Sequence, residues 1–181
     1  MPDHGLTPTP GFPELLDATR TAADHLEMRD AYDESDPTFQ HWLRTGEIST
    51  DPDGEYWRPW LSRVREAVQR GVRMRRLRVV SEPISAYIGF EHTCAAMNIA
   101  AGEEVRWLPR RLANELLLPA NDCWIFDGQR TRFHLFDGTG RSVKNIDSTD
   151  PVTATRCAAA FDAAWSRAIP HADYDPDRGP G

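Results

Sequence analysis

The chain has 181 residues, of which 40% are hydrophobic and 27% are charged, a size and composition typical of one globular domain. No apolar run approaches the ~20 residues that cross a bilayer, and the N-terminal residues lack the basic and apolar segments of a signal peptide. Its 3 cysteines are too few for a disulfide framework, so we expect a reduced, cytoplasmic protein that makes no contact with a membrane.

The charged residues are unevenly distributed along the chain. The net charge is −7, yet residues 58–111 contain 11 basic and 5 acidic side chains, whereas residues 1–57 contain 3 basic and 13 acidic ones. An acidic protein is in general a poor ligand for nucleic acids, because binding to phosphates needs a concentrated cationic surface. We therefore expect the basic segment to face solvent, the acidic N-terminal part of the chain, or an acidic partner.

The N-terminal part of the chain predicts a leader followed by helices. Residues 1–11, rich in proline, threonine and glycine, are typical of a flexible leader. The spacing of apolar residues predicts an amphipathic helix from Phe12 to Met28 and a short helix over Thr38–Thr45. The composition of Ser49–Gly54 indicates a loop.

The clearest periodicity lies in the middle of the chain. Apolar residues recur at helical spacing from Trp57, and Gly71 is placed to end that helix. A strand over Val72–Val80, a helix over Ile84–Ala101 and a strand over Glu103–Leu108 are predicted to follow. A strand, a helix and a second strand with short joints favour a right-handed crossover in an α/β layer.

The C-terminal half predicts further elements. They are a helical segment near Arg111–Leu118, strands over Cys123–Phe126, Thr131–Phe136 and Ser142–Asp147, and a helix over Pro151–Ile169. Asp127-Gly128 is a hairpin-turn dipeptide, so the first two of these strands are expected to pair. Residues 171–181, in which aspartate, proline and glycine dominate, are predicted to form a disordered tail.

Together these elements predict a single α/β domain over residues 12–170. Its one mixed sheet contains a βαβ unit and a C-terminal hairpin, with helices on its faces and a helical N-terminal flank. An α+β arrangement is the alternative.

The arginines of the strand over residues 72–80 are the main candidates for function. Arg76 and Arg78 share one face of that strand, and a strand inside a sheet buries an arginine only when a carboxylate pairs with it or a cleft receives it. Arg78 lies towards the C-terminal end, where open α/β sheets usually hold ligands. Glu82 and Glu91 are the nearest partners in the sequence. Two interpretations stay open, an internal network of arginines and glutamates or a site for an anionic small molecule.

Few other residues point to chemistry. His134 is predicted to face Asp127 across the hairpin, as a general-base pair or as a structural histidine. The spacing of His92 and Cys94 matches no zinc site, so we predict no metal, no cofactor and no assigned catalytic residue. The candidate ligand-binding residues are Arg76, Arg78, Glu82, Tyr87, Glu91, Asp127 and His134.

Several segments resemble one protein family. They are Trp57–Glu91, with its run R-V-R-M-R-R-L-R-V-V-S-E-P-I-S-A-Y, then Ala100–Arg110 and Asp122–Gly128. They are similar to the actinobacterial family called domain of unknown function 6879, over residues from about Phe12 to Ala172. Members of that family are often encoded beside helix-turn-helix regulators, so the resemblance implies a regulatory or partner-binding role.

The order of the elements is also similar to half of a phospholipase D-like domain. Enzymes of that superfamily need a His-x-Lys-x-x-x-x-Asp element, in which the histidine attacks phosphorus and the lysine holds phosphate oxygens. No histidine of this chain is followed two residues later by lysine. The likeness therefore implies a non-catalytic relative with a cleft near Arg78 and Glu82.

Three functions remain in competition at this point. The first is a non-catalytic cytoplasmic regulatory protein that acts with a helix-turn-helix transcriptional regulator. The second is an enzyme or binding protein for an anionic small molecule. The third, direct binding of nucleic acid by the eight arginines of residues 58–78, has less support because no recognition motif accompanies them.

Overall fold

Seven strands form one mixed sheet in the computed structural model, which describes residues 10–138 and 140–177. In chain order the strands are β1 (Ala22–Glu27), β2 (Arg73–Val80), β3 (Glu103–Pro109), β4 (Cys123–Phe126), β5 (Arg130–Phe136), β6 (Ser142–Ser148) and β7 (Ile169–Pro170). Their order across the sheet is β6-β5-β4-β1-β2-β3-β7. Strands β1, β2 and β3 run parallel, and the remaining strands pair antiparallel with their neighbours.

Helices cover both faces of this sheet. In chain order they are α1 (Phe12–Ala18), α2 (Pro37–Thr45), α3 (Arg58–Gln69), α4 (Ala86–Ala100) and α5 (Pro151–Arg167). Helices α1 to α4 pack on one face, around Met74 and Trp124, and α5 packs on the other, around Leu77 and Ile125. The layers confirm the predicted α/β class, with β2, α4 and β3 as the βαβ unit and β4 and β5 as the hairpin.

The largest correction concerns the predicted helix from Phe12 to Met28. Helix α1 ends at Ala18, and residues 22–27 form the strand β1 between β2 and β4, so the N-terminal flank is not purely helical. Asp24 and Glu27 are paired with arginines of β2, which allows a strand with polar side chains to lie inside the sheet. These partners lie about 50 residues away in the sequence, so local periodicity does not reveal them.

The segment that follows β3 differs from the prediction as well. Instead of a helical segment near Arg111–Leu118, the structure has one short 3₁₀ turn over Arg110–Leu112. Leu117 is 94% exposed, so the apolar residues of this segment do not share one buried face. A helix of this length depends on such a face for its stability.

The third correction concerns the predicted disordered tail. Residues 171–173 form a 3₁₀ turn, and the buried Tyr174 stacks on Trp107 with the ring centroids 5.4 Å apart. Burial of two aromatic rings offsets the entropy of ordering a short polar segment. Residues 1–9 of the predicted leader and 178–181 of the predicted tail lie outside the described residues. Within the described ranges, the helices are all too short or too polar to span a membrane.

Candidate ligand cavity

A cavity of about 450 Å³ lies between the sheet and the helices on the α3 and α4 side. Strands β1, β2 and β4 form its floor, and α1, α4 and the start of α3 form its walls. The residues that line it are Phe12, His25, Glu27, Tyr56, Trp57, Trp60, Arg76, Arg78, Glu91, Cys94, Asn98 and Trp124. Aromatic rings and charged side chains therefore meet in one space.

The alternation of side chains along the strands places the charged groups on the floor of the cavity. Arg76 and Arg78 point to the α4 side of β2, while Arg75 points to the α5 side and binds Asp24 at 2.7 Å. The parallel register sets His25 beside Arg76 and Glu27 beside Arg78. Each arginine thus has a residue of β1 as its immediate neighbour.

Three glutamates neutralise the two arginines of the floor. Arg76 donates to Glu103 through Nε at 3.0 Å and to Glu27 through Nη1 at 3.2 Å. Nη2 of Arg78 lies 3.1 Å from Glu27 and 2.6 Å from Glu91. Glu27 is shared by both guanidinium groups, so these five side chains form one continuous network of ion pairs.

The network controls the protonation of its members. Burial alone would raise the pKa of Glu27, but Arg78 and Arg76 outweigh it and hold this pKa at about 2. Burial opposes the charge of Arg76, yet Glu103 and Glu27 raise its pKa above the ordinary value. Burial raises the pKa of Glu103 despite its bond to Arg76. At neutral pH, Glu27 and both arginines are therefore charged.

Some polar atoms around the cavity have no hydrogen-bond partner among the described residues. They are Nδ1 of His25 and Nε and Nη1 of Arg78, all of them buried. The His25 ring stacks on Trp124 at 4.1 Å, and burial lowers the pKa of this histidine, so the imidazole is neutral at neutral pH. The Trp107 ring lies 5.8 Å from the guanidinium carbon of Arg78, on the buried side.

The apolar wall consists of rings that support one another. Phe12 lies 5.0 Å from Trp124 and 5.9 Å from Trp60, measured between ring centroids. The indole nitrogen of Trp60 donates to Asn98 at 2.8 Å, and that of Trp57 donates to the carbonyl of Ser49 at 2.6 Å. These hydrogen bonds fix the orientation of two of the rings that face the cavity.

Three of the seven predicted ligand-binding residues lie together in this cavity, namely Arg76, Arg78 and Glu91. Tyr87 lies on α4, four residues before Glu91, and is buried beside Phe39 and Phe90 instead of lining the cavity. Glu82 does not pair with Arg78 as the sequence suggested, because its carboxylate binds Arg111 at 3.2 Å.

The predicted pair of His134 and Asp127 is wrong. The carboxylate of Asp127 accepts hydrogen bonds from the backbone amides of residues 20–22, which ties the start of β1 to the turn after β4. His134 instead shares a hydrogen bond of 2.8 Å with Asn145. Neither residue lines the cavity, although the His134 ring lies 5.9 Å from that of His25.

Sequence reasoning missed part of the site. His25 and Glu27 were missed because their strand was predicted as a helix. Trp124 has no sequence signal beyond its place in a strand.

The buried position of Arg76 and Arg78 also changes the interpretation of the arginine-rich segment, since Arg75 is buried with them. The cationic surface left for nucleic acid is therefore smaller than the sequence suggests. No cluster of metal-binding side chains occurs among residues 10–138 and 140–177.

The buried carboxylate of Asp122, just before β4, has a raised pKa. Asp122 accepts from the Met28 amide at 2.9 Å and from the Tyr32 hydroxyl, and burial raises the pKa of Asp122 to about 6. A folded-state pKa above the unfolded one stabilises the protein below pH ~4, and this contribution is lost as the pH rises through ~6. We expect the stability of the wild type relative to Asp122→Asn to fall by about 2–3 kcal/mol between pH 4 and pH 7.

Urea denaturation of both proteins at several pH values measures this difference. Asp17→Asn, a change at an exposed aspartate of α1, is the matched control and should leave the pH dependence unchanged. Parallel pH profiles for the wild type and Asp122→Asn would show that Asp122 titrates normally in the folded protein.

The fold and the cavity define a class of protein, an α/β domain with a ligand-sized cavity over a buried network of ion pairs. Within that class, the chain belongs to the family described as a domain of unknown function, DUF6879, whose model matches residues 10–176. This match confirms the family resemblance seen in the sequence.

Comparison with solved structures also supports the predicted fold. A phospholipase D family member, Nuc from Salmonella typhimurium, is similar over 87% of this chain and 86% of its own, with 10% identity and a TM-score of 0.50. TrmBL2, an archaeal chromatin protein, aligns with 87% of this chain and 48% of its own, with 15% identity and a TM-score of 0.46, so this chain spans about half of its length. No curated protein matches the sequence. The likeness to Nuc concerns the fold alone.

Proposed function

We propose that this protein is a non-catalytic module that binds a small molecule in the cavity between the sheet and helices α3 and α4. The cavity carries the proposal, because its volume of about 450 Å³ lies within the range of small-molecule sites, ~300–1,000 Å³. Its lining combines apolar rings with a few convergent polar groups, as such sites usually do. A buried ion-pair network is a weak source of stability, so its position at a cavity favours a role in binding.

The residues around the cavity favour binding over phosphodiester chemistry. The histidine on its floor, His25, is followed two residues later by Glu27, an acid where phospholipase D-like enzymes need a lysine. Glu27 is ionised and would repel a phosphate group. A role in transfer of phosphoryl groups therefore has little support.

The wider biological role stays a prediction. A regulatory function in which the module acts with a helix-turn-helix transcriptional regulator rests on the family resemblance, and so do an actinobacterial origin and a cytoplasmic location. A ligand-binding module suits such a role. A ligand that binds one conformation of the module increases the population of that conformation, and so changes the surface that is available to a partner protein. Affinity purification of the tagged protein from its source cells at low salt tests this role, and the absence of any helix-turn-helix protein among the co-purified proteins contradicts it.

Thermal denaturation of the full-length protein with a library of small cationic, uncharged and anionic aromatic molecules tests the binding function. We expect some members to raise the melting temperature, because a ligand of the folded state stabilises it. The affinity for each such molecule should fall about tenfold or more in Trp60→Ala, which removes one wall of the cavity.

Trp42→Ala provides the matched control for this experiment. Trp42 is also a half-buried tryptophan, but it lies on α2 and does not line the cavity, so its replacement should leave the affinities unchanged. The proposal fails when no library member binds, or when the molecules that bind have equal affinity for the wild type and Trp60→Ala.

A further inference from the structure

We infer that the ligand of this cavity is a cationic amine with an aromatic or other apolar group, an inference that rests on the proposed function. The cavity offers such a molecule carboxylates for its ammonium group and aromatic rings for its apolar part. A cationic ligand differs from the anionic small molecule that the arginines suggested in the sequence analysis.

The charges around the cavity do not favour an anion. Glu27 and Glu91 face Arg76 and Arg78 in the lining, and Glu103 lies behind Arg76 with its side chain fully buried. When Glu103 is ionised the network carries one negative charge, and when it is protonated the charges balance. In neither state is the cavity positive.

The arginine donors are also either paired with carboxylates or enclosed by the protein. All three guanidinium nitrogens of Arg76 bind carboxylate oxygens of Glu27 or Glu103. Nη2 of Arg78 bridges Glu27 and Glu91, while its other two nitrogens are enclosed by the protein. A bound anion would therefore have to displace an existing ion pair, or open the protein around Arg78, before it reached a donor.

One carboxylate of the cavity is more accessible than the arginine donors. Glu91 has 17% of its side chain exposed, the largest value in the network around the two cavity arginines, and its Oε1 accepts no hydrogen bond from the described residues. A carboxylate oxygen of this kind is complementary to the N–H groups of an ammonium ion.

The rings of the cavity suit the rest of such a ligand. Trp57, Trp60, Tyr56 and Trp124 line the cavity with apolar surface, and aromatic rings attract cations when water is excluded. One cation–ring contact is already present in the cavity, because the guanidinium carbon of Arg76 lies 5.6 Å from the centre of a Trp60 ring. An apolar amine thus gains from the carboxylates and the rings at the same time.

Isothermal titration of the full-length protein with three molecules of similar shape tests the inference. The probes are 2-phenylethylammonium, 2-phenylethanol and 3-phenylpropionate, which differ mainly in charge. We expect the ammonium ion to bind about tenfold more tightly than the alcohol, and the carboxylate to bind most weakly. Glu91→Gln should lower the affinity for the ammonium ion towards that for the alcohol.

The control variant is Glu66→Gln, which removes an exposed glutamate of α3 outside the cavity and should leave the order of affinities unchanged. Equal or tighter binding of the alcohol or the carboxylate, with dependence on Trp60, overturns the inference and leaves the proposed function standing. Absence of binding by all three probes also overturns it, whereas the library screen decides the proposed function separately.

Discussion

Replacement of Arg76 by methionine is expected to lower the free energy of unfolding by about 3–5 kcal/mol. Methionine keeps much of the volume but leaves Glu103 without its cation, although the Glu103 side chain has no exposed surface. Glu27 loses one of its two guanidinium partners as well. An isolated buried charge costs more than the intact pair contributes, so removal of one partner has a large effect.

Urea denaturation and thermal unfolding measure this loss. In a chain of this size, 1 kcal/mol corresponds to a change of roughly 2–4 °C in melting temperature, so a decrease of about 6–20 °C is expected. Arg73→Met is the matched control, because Arg73 begins the same strand and is exposed. Its effect should stay within about 0.5 kcal/mol.

A second substitution separates lost charge pairing from lost packing. Glu103→Gln in the Arg76→Met background removes the uncompensated carboxylate, and we expect it to recover about 1–3 kcal/mol. Equal losses for Arg73→Met and Arg76→Met would contradict the structural importance of the network, and failure of the double variant to recover stability would assign the loss to packing.

The parts of the fold that the sequence predicted are those with local signals. Strand β2, helix α4 and strand β3 follow one another with short joints, which Gly71, Pro83 and Gly102 mark in the sequence. The hairpin of β4 and β5 is marked by its Asp127-Gly128 turn, in which Asp127 has a φ of 53°. In these segments the local pattern and the final packing agree.

Strand β1 was missed because its stability comes from distant residues. Ala22, Ala23 and Leu26 fit a helical stripe, while Asp24 and Glu27 do not alternate as a half-exposed strand would require. In the structure both faces of this strand are covered, and the polar residues are compensated by arginines of β2. A single sequence does not contain the register that brings these groups together.

The sequence predicted only the residues of the site that lie on β2 or on the helix that follows it. Arg76 and Arg78 stood out because arginine inside a strand needs a partner, and Glu91 lies close enough on the next helix to supply one. Asp127 was misassigned because its carboxylate satisfies backbone amides of a distant loop, a role that only the folded chain reveals.

Replacement of Tyr174 by alanine is expected to lower the free energy of unfolding by about 3 kcal/mol, because it removes a buried ring from the core beside β3. The ring of Tyr174 covers Trp107, which has no exposed surface and lies against Arg78 below the cavity. Tyr174→Phe keeps this contact and loses only the hydroxyl's 3.5 Å contact with Glu82, so its effect should stay below about 1 kcal/mol.

Chemical denaturation of these variants decides between a packed C-terminal segment and a disordered one. Asp175→Ala, a change at the exposed neighbouring residue, should leave stability within about 0.5 kcal/mol of the wild type. A loss in Tyr174→Ala with retention in Tyr174→Phe identifies the ring as the stabilising group. Wild-type stability in Tyr174→Ala would instead support the disorder that the composition of residues 171–181 suggested.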